Sequence, residues 1–200
     1  MSVKPILFNT EMVEANLGGR KTCTRRLVKF LPGQNPAWTG YTKDGLMLYN
    51  GNNEPCIRKA PYKPGDILYV RETWSEWTGG YIYRAWNSPF PQAGAYSEEK
   101  WHPSIHMPKD AARIWLNVTE VRVERLQEIT EDGAILEGAI DNRGFIHAPD
   151  DEYNTIHSAK EHFIDIWNST IKKSDLDRYG WDANPWVWVI EFERCEKPKE

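Results

Sequence analysis

The segment ARIWLNVTEVRVERL, residues 112 to 126, alternates apolar and polar side chains over an unusual length. Its alternating apolar residues can line one core: Ile114, Leu116, Val118, Val121 and Val123. Because the step from Val118 to Val121 breaks the two-residue period, the chain needs a bulge near Thr119 and Glu120 to return to the same face. The pattern predicts a long central β-strand, and therefore a fold built around a sheet.

Shorter patterns predict the other elements. The predicted strands cover 3–8 and 67–73, a hairpin strand in GGYIYRAW and a closing strand in WVWVIEFER. The predicted helices are one over 10–17 capped by Asn9 or Thr10, one capped by Thr130 and an amphipathic one over 156–170. Residues 31–63, 87–110 and 139–155 show no clear period and are expected to be irregular. Since strands and helices do not alternate strictly, we expect an α+β fold with a mixed sheet or small barrel flanked by helices.

Length and composition fit one soluble domain. The 200-residue chain is long enough to bury a substantial core, and 40% of its residues are hydrophobic. The N-terminal residues lack the apolar run of a secretory signal, and no stretch approaches the roughly 18 apolar residues of a membrane span. Cys23, Cys56 and Cys195 form no CxxC pair, which disfavours a disulfide framework or a thiolate metal site. We therefore expect a cytoplasmic protein with no membrane partner.

Positive charge is concentrated in GRKTCTRR, residues 19 to 26, although the whole chain has a formal net charge of -4. Residues 1–73 contain eleven Lys or Arg against six Asp or Glu, so acidic side chains predominate in the remainder. A local basic region in an acidic chain favours one discrete site over uniform binding along a duplex. The stretch also follows a predicted helix C-terminus, where cations are favourable without any function.

Lys21 and Thr24 can form a reaction centre within that stretch. Burial and neighbouring arginines lower the pKa of a lysine from roughly 10.4, and a neutral amine can activate a nearby hydroxyl group. Residues i and i+3 of a straight strand face opposite sides, so the two side chains can meet only in a turn, bulge or bend. A carboxylate is needed to orient the lysine or to carry a proton, and the residues alone do not rank Glu72, Glu131 and Glu137.

Other chemistry has weaker support. His102 and His106 are four residues apart in WHPSIHMP, but the prolines there disfavour a helical zinc motif, and no metal is predicted. The dinucleotide, phosphate-loop and GxSxG motifs are absent, and no cofactor is predicted. Cys23 lies among cations but has no histidine nearby in the sequence, which disfavours cysteine catalysis.

Ten tryptophans support a different interpretation. Most are expected to pack in the core, but Trp38, Trp77 and Trp101 lie in polar or Gly- and Pro-rich surroundings, where an indole can stack on a nucleobase. If the cations of GRKTCTRR bind phosphates while these indoles stack on bases, the chain is a non-catalytic module that binds single-stranded nucleic acid. Binding of a host protein is a third possibility.

In four ordered blocks the sequence resembles the ASCH domain of the PUA-like superfamily, in the long version encoded by bacteriophages and prophages. The blocks are GRKTCTRR after a short helix, PGDILYVRETW, the long strand leading into LQEITEDGAILEGA, and WVWVIEFER. They cover about half of the chain, which leaves residues 31–63, 75–100 and 139–155 as insertions in a single domain spanning 1–200.

The resemblance implies a PUA-like β-barrel flanked by helices, with a cleft for RNA or nucleoside ligands. Some small ASCH proteins remove the acetyl group from N4-acetylcytidine with a Lys, a Thr and a Glu, and their motifs fall on Lys21, Thr24 and Glu137 here. As substrate-binding candidates we take six further residues: Arg20, Arg25, Arg26, Glu72, Trp74 and His106. The expected function is hydrolysis of an amide on a modified pyrimidine nucleoside, and the alternative is non-catalytic binding of single-stranded RNA.

Overall fold

The computed structural model describes residues 2–31, 34, 36–42, 45–57, 60–77, 80–85, 100–143 and 157–198. Its strands are β1 (Val3–Leu7), β2 (Cys23–Leu27), β3 (Trp38–Thr42), β4 (Gly45–Tyr49), β5 (Ile67–Arg71), β6 (Trp74–Trp77), β7 (Gly80–Tyr83), β8 (Trp115–Arg125) and β9 (Trp186–Cys195). Its α-helices are α1 (Thr10–Leu17), α2 (Glu131–Leu136), α3 (Ala159–Thr170) and α4 (Leu176–Tyr179).

Five strands form one mixed sheet in the order β1-β5-β8-β9-β2. β1 runs parallel to β5, and the other neighbours are antiparallel. The hairpins β3–β4 and β6–β7 are separate two-stranded sheets. The chain is therefore an α+β protein with a mostly antiparallel sheet, and β1 and β2 stand at the two ends of the strand order.

The long central strand is confirmed. β8 extends over eleven residues and pairs with β5 on one side and β9 on the other. Its register against β9 shifts between Val118 and Glu120, which is where the two-residue period of the sequence breaks. The bulge lets the alternating apolar residues contribute to one core: Ile114, Leu116 and Val118 are buried in it, and Val121 and Val123 pack against it.

Side-chain caps fix where the longer helices begin. Asn9 accepts a hydrogen bond from the backbone N–H of Met12, and Thr130 accepts one from Gly133, so each satisfies a donor that the first helical turn leaves free. The predicted helices over 10–17 and after Thr130 are thus confirmed. The helix expected over 156–170 begins at Ala159, because Ser158 forms a capping box with Glu161.

The expectation of an irregular segment over 31–63 is wrong in its centre, where β3 and β4 form an antiparallel hairpin. The neighbouring Gly, Pro and Asn residues obscured the short apolar segment that forms β4. Leu48, Cys56 and Ile57 from this region are buried in the main core. In the described part of 87–110 there are two short 3-10 turns, Ser104–His106 and Lys109–Ala111. Residues 86–99 and 144–156, which include much of the segments expected to be irregular, lie outside the described part of the chain.

Two groups of buried side chains pack against opposite faces of β9. Trp188 and Ile190 belong to the main core with α1, whereas Val187 and Val189 belong to a second core with α2 and α3. The division follows from the alternation of side chains across a strand. It places β2, the neighbour of β9, between two cores. No helix in the described ranges has the length and apolar character needed to cross a bilayer.

Candidate active site

The irregular segment between α1 and β2 places Lys21 in the wall of the same cavity as Thr24. α1 ends at Leu17, and the backbone N–H of Lys21 donates to the carbonyl of Ala15 at 3.1 Å. The N–H of Thr22 then donates to the carbonyl of Leu136 at 2.9 Å. Because β2 starts only at Cys23, Lys21 lies outside the straight strand, and the geometric condition for its meeting Thr24 is fulfilled.

The ammonium group of Lys21 is buried, and its Nζ donates to three oxygen atoms. They are the backbone carbonyl of Cys23 at 2.8 Å, the backbone carbonyl of Glu137 at 2.7 Å and the Glu137 carboxylate at 2.9 Å. Lys21 has only 2% of its surface exposed. Three donors matched by three acceptors fit the protonated amine.

Glu137 reaches Lys21 because α2 ends against α1. Gly138 follows directly with φ +100°, a backbone conformation that residues other than glycine rarely adopt. A Cβ atom there would lie 2.8 Å from the Cβ of Ala15 in α1, so only glycine permits the close approach. The turn after α2 therefore holds the Glu137 carboxylate beside the lysine.

Arg25 extends this ion pair into a chain of alternating charges. Its guanidinium donates to the Glu137 carboxylate at 3.3 Å and to the Glu124 carboxylate at 3.2 Å. Glu124 in turn accepts from Arg122, which also pairs with Glu191. The chain of contacts runs from the buried lysine along β2, β8 and β9 to the sheet surface, and it fixes the Glu137 carboxylate between two cations.

Burial has the larger effect on the protonation of Lys21. It lowers the pKa of the amine from its ordinary value, while the Glu137 carboxylate acts in the opposite direction. Burial also raises the pKa of the Cys23 thiol to about 12. The thiol is therefore neutral at physiological pH, which disfavours Cys23 as a nucleophile.

A cavity of about 650 Å³ opens beside this network. Because β2 is an end strand, the cavity reaches residues from both of its faces, including Thr24 on one and Arg25 on the other. Thr24 is buried in the cavity wall, and within the described residues its hydroxyl forms no hydrogen bond. The apolar wall comes from both cores: Phe8, Met12, Leu27, Phe163, Ile166, Trp167, Ile171 and Trp188. The volume is in the range of pockets that hold small organic ligands.

The three residue types of the proposed reaction centre thus converge, and so do two of the six substrate-binding candidates. Arg25 and Arg26 line the cavity together with Lys21, Thr24 and Glu137. The guanidinium of Arg26 donates to the backbone carbonyls of Arg25 and Leu7. The other four candidates, Arg20, Glu72, Trp74 and His106, are not among the lining residues.

These four residues have other surroundings. Arg20 is exposed after α1, and His106 is exposed on a 3-10 turn. Glu72 is buried and accepts two hydrogen bonds from the guanidinium of Arg113, each at 2.9 Å. Trp74 is buried and stacks on the ring of His102, with 4.9 Å between centroids.

The carboxylate candidates are now distinguished by position. Glu137 contacts Lys21, Glu72 lies in the separate pair with Arg113, and Glu131 is exposed in the first turn of α2. Trp101 is half-buried and does not line the cavity. The side chains of Trp38 and Trp77 lie outside the described part of the chain.

Sequence reasoning missed Glu124 and Lys29, and also the aromatic wall formed by Phe8 and Trp188. Glu124 reaches Arg25 across the sheet, a contact that no local spacing reveals. Lys29 lies three residues beyond the cationic stretch and lines the cavity. The concentration of positive charge that singled out GRKTCTRR could have been extended to include it. Phe8 and Trp188 were assigned only to predicted strands.

No protein-family model, curated protein or solved structure matches the chain. The chemistry of the cavity must therefore be judged from its own side chains. Among the side chains that the structure describes, no three His, Cys, Asp or Glu residues converge as a metal-binding group.

Proposed function

We propose that this chain is a PUA-like protein of the ASCH type that hydrolyses the amide of an N4-acylated cytidine or a related modified pyrimidine nucleoside. The observation that carries the proposal is the convergence of Lys21, Thr24 and Glu137 around one cavity, although 116 positions separate the lysine from the glutamate. An amine base, a hydroxyl and a carboxylate can together carry out acyl transfer from an amide.

The arrangement of the sheet supports the PUA-like part of the proposal. β1 and β2 are the end strands of the order, yet Arg26 in β2 donates to the carbonyl of Leu7 in β1 at 3.0 Å. The sheet therefore curls enough for its two ends to approach each other. A barrel with helices at its flank needs this curvature.

The proposed reaction begins at Thr24. Its Oγ1 attacks the acyl carbonyl carbon, its proton passes to Lys21 Nζ, and the carbonyl electron pair moves onto the oxygen. Collapse of this intermediate breaks the bond to N4, and the Glu137 carboxyl group delivers a proton to the departing amine. Water then cleaves the acyl ester on Thr24 and releases the carboxylic acid. If Thr24 instead positions a water molecule, water attacks directly and no acyl-enzyme forms.

Lys21 must lose a proton before it can act as a base. The Glu137 carboxylate is 2.9 Å from Nζ and is the acceptor for that proton. Burial favours the transfer, because it penalises the ammonium form and lowers the lysine pKa. The pair thus holds one mobile proton that can be moved from lysine to glutamate and then to the leaving group.

Arg25 is the cation best placed to stabilise the developing oxyanion. It lines the cavity, and its contacts with Glu137 and Glu124 fix the guanidinium in place before substrate binds. Among the described residues its buried Nε has no hydrogen-bond partner, so it can donate to an oxyanion while the two carboxylates stay paired. Arg20 is exposed and is not among the lining residues, so it is less suited to this role.

The contacts do not favour the alternative function, in which all four cations of GRKTCTRR bind the phosphates of a nucleic acid. Lys21 and Arg25 are buried and already paired with carboxylates. They cannot neutralise a nucleic acid backbone without abandoning these partners. Steep weakening of RNA binding with salt would still support that alternative, because each neutralised phosphate releases counterions.

The test is turnover of N4-acetylcytidine to cytidine and acetate, followed by chromatography for the wild type and for Thr24→Val. Valine keeps the shape of threonine and removes the hydroxyl, so we expect a folded protein whose turnover falls about 100-fold or more. Mass spectrometry of quenched wild-type enzyme then separates the two routes, since only nucleophilic Thr24 gains an acetyl group. Turnover by Thr24→Val at the wild-type rate would refute the assigned role.

A further inference from the structure

Among the described residues, the cavity lining carries more positive charge than its carboxylate neutralises. Of the described lining residues four are Lys or Arg, and Glu137 is the one that is acidic. Glu137 is already shared by Lys21 and Arg25. The charges of Arg26 and Lys29 therefore remain.

Arg26 and Lys29 have no ion-pair partner among the described residues. The guanidinium of Arg26 donates only to backbone carbonyls, those of Arg25 and Leu7, and Lys29 is exposed. A carbonyl satisfies a hydrogen-bond donor but leaves the formal charge in place. Two cations thus face the cavity with the capacity to bind an anionic group.

We infer that the ligand of this cavity is a nucleoside monophosphate acylated on its base, whose phosphate contacts Arg26 and Lys29. The inference rests on the proposed function, which supplies the nucleoside, and adds that the substrate is a nucleotide. A guanidinium and an ammonium group both form strong, charge-assisted hydrogen bonds to phosphate oxygens.

The lysine of the proposed reaction centre and the arginine of the inferred phosphate site lie against the same aromatic ring. The ring of Phe8 lies 5.2 Å from the Lys21 ammonium and 5.8 Å from the Arg26 guanidinium. The reaction centre and the phosphate site are therefore neighbours along one aromatic wall. A cytidine monophosphate can reach from one to the other, with the base at Lys21 and the phosphate at Arg26.

The distribution of charge favours a mononucleotide over a polymer. Residues 74–200 carry fourteen Lys or Arg against twenty-three Asp or Glu, so much of the chain repels a polyanion. Two unpaired cations at the rim match one phosphate. A long single strand needs a continuous basic groove with several such contacts.

Calorimetric titration with cytidine and cytidine 5′-monophosphate tests the inference without any turnover, because both are unacylated. We expect the monophosphate to bind about ten-fold more tightly at low salt, and the gain to disappear in Lys29→Gln. Lys29 is exposed, and its side chain forms no hydrogen bond or ion pair with another described residue. Lys109→Gln is the matched control, since Lys109 is also exposed but does not line the cavity.

Each alternative result contradicts a different part of the account. Equal affinity for the two ligands, or a gain that survives Lys29→Gln, overturns the phosphate site and leaves the amidohydrolase proposal intact. Tighter binding of a short oligocytidylate than of the monophosphate overturns the mononucleotide in favour of a polymer. Failure of both small ligands to bind overturns the inference together with the nucleoside on which it rests.

Discussion

Replacing Glu137 by glutamine tests whether the buried ion pair holds the site together. The carboxylate accepts from Lys21 at 2.9 Å and from Arg25 at 3.3 Å, and removing one partner of a buried pair costs roughly 3–5 kcal/mol. Lys21 keeps two backbone carbonyl acceptors and Arg25 keeps Glu124. We therefore expect the lower end, a loss of about 3 kcal/mol in the free energy of unfolding.

Urea denaturation followed by tryptophan fluorescence measures this loss, with Glu76→Gln as the control at an exposed carboxylate. The double variant Lys21→Met, Glu137→Gln removes both charges, so its loss should be smaller than the sum of the two single losses by about 1–3 kcal/mol. If Glu137→Gln costs no more than the control, or if the losses are additive, the pairing argument fails.

The pH dependence of the same variant has a definite sign. The folded state lowers the pKa of Lys21, so the cost of burying the ammonium is fully present below that folded pKa and is relieved as the pH rises through it. The Glu137 carboxylate opposes this lowering of the lysine pKa, so its removal increases the free-energy cost of burying the ammonium group. The stability deficit of Glu137→Gln relative to wild type should therefore shrink as the pH approaches roughly 10.4. A deficit that grows with rising pH would contradict this reasoning.

Two further substitutions separate the site from the rest of the fold. Gly138→Ala should lower the free energy of unfolding by about 2–4 kcal/mol, because it strains a positive φ and brings a Cβ within 2.8 Å of the Cβ of Ala15. Turnover should fall as well. Thermal denaturation measures the loss of stability, and a turnover assay measures the loss of activity. Glu72→Gln should lower the melting temperature, since it removes the carboxylate that accepts twice from Arg113, yet leave turnover of the folded protein unchanged. Lost turnover in folded Glu72→Gln would show that this second ion pair also belongs to the site.

Local patterns predicted the elements whose signals lie within one segment. The bulge in β8 is visible because the apolar period breaks between Val118 and Val121, and the start of α2 is visible because Thr130 is a strong capping residue. The β3–β4 hairpin was missed because its strands are short and its surroundings are rich in turn-forming residues. The burial of Leu48 and Cys56 depends on packing against distant strands.

The site was predictable in its residue types but not in its geometry. Lys21 and Thr24 are close in sequence, but they share a cavity with Glu137 in a fold where the backbone N–H of Thr22 donates to the carbonyl of Leu136 at the end of α2. Glu137 could not be ranked above Glu72 from the residues alone, because its contact with Lys21 joins positions far apart in the sequence. In the structure both glutamates are buried and ion-paired, so burial alone would not have ranked them either. Long-range contacts decide these questions, and single-sequence patterns do not contain them.

The most direct test of the account is the turnover of N4-acetylcytidine by purified wild-type protein and by Lys21→Met. Methionine fills the buried volume of the lysine stem without an amine, and far-ultraviolet circular dichroism establishes that the variant is folded. The account predicts that the wild type releases cytidine and that Lys21→Met is slower by about 100-fold or more. Deacetylation by the variant at the wild-type rate, or none by the wild type, would contradict the assignment of the cavity as an amidohydrolase site.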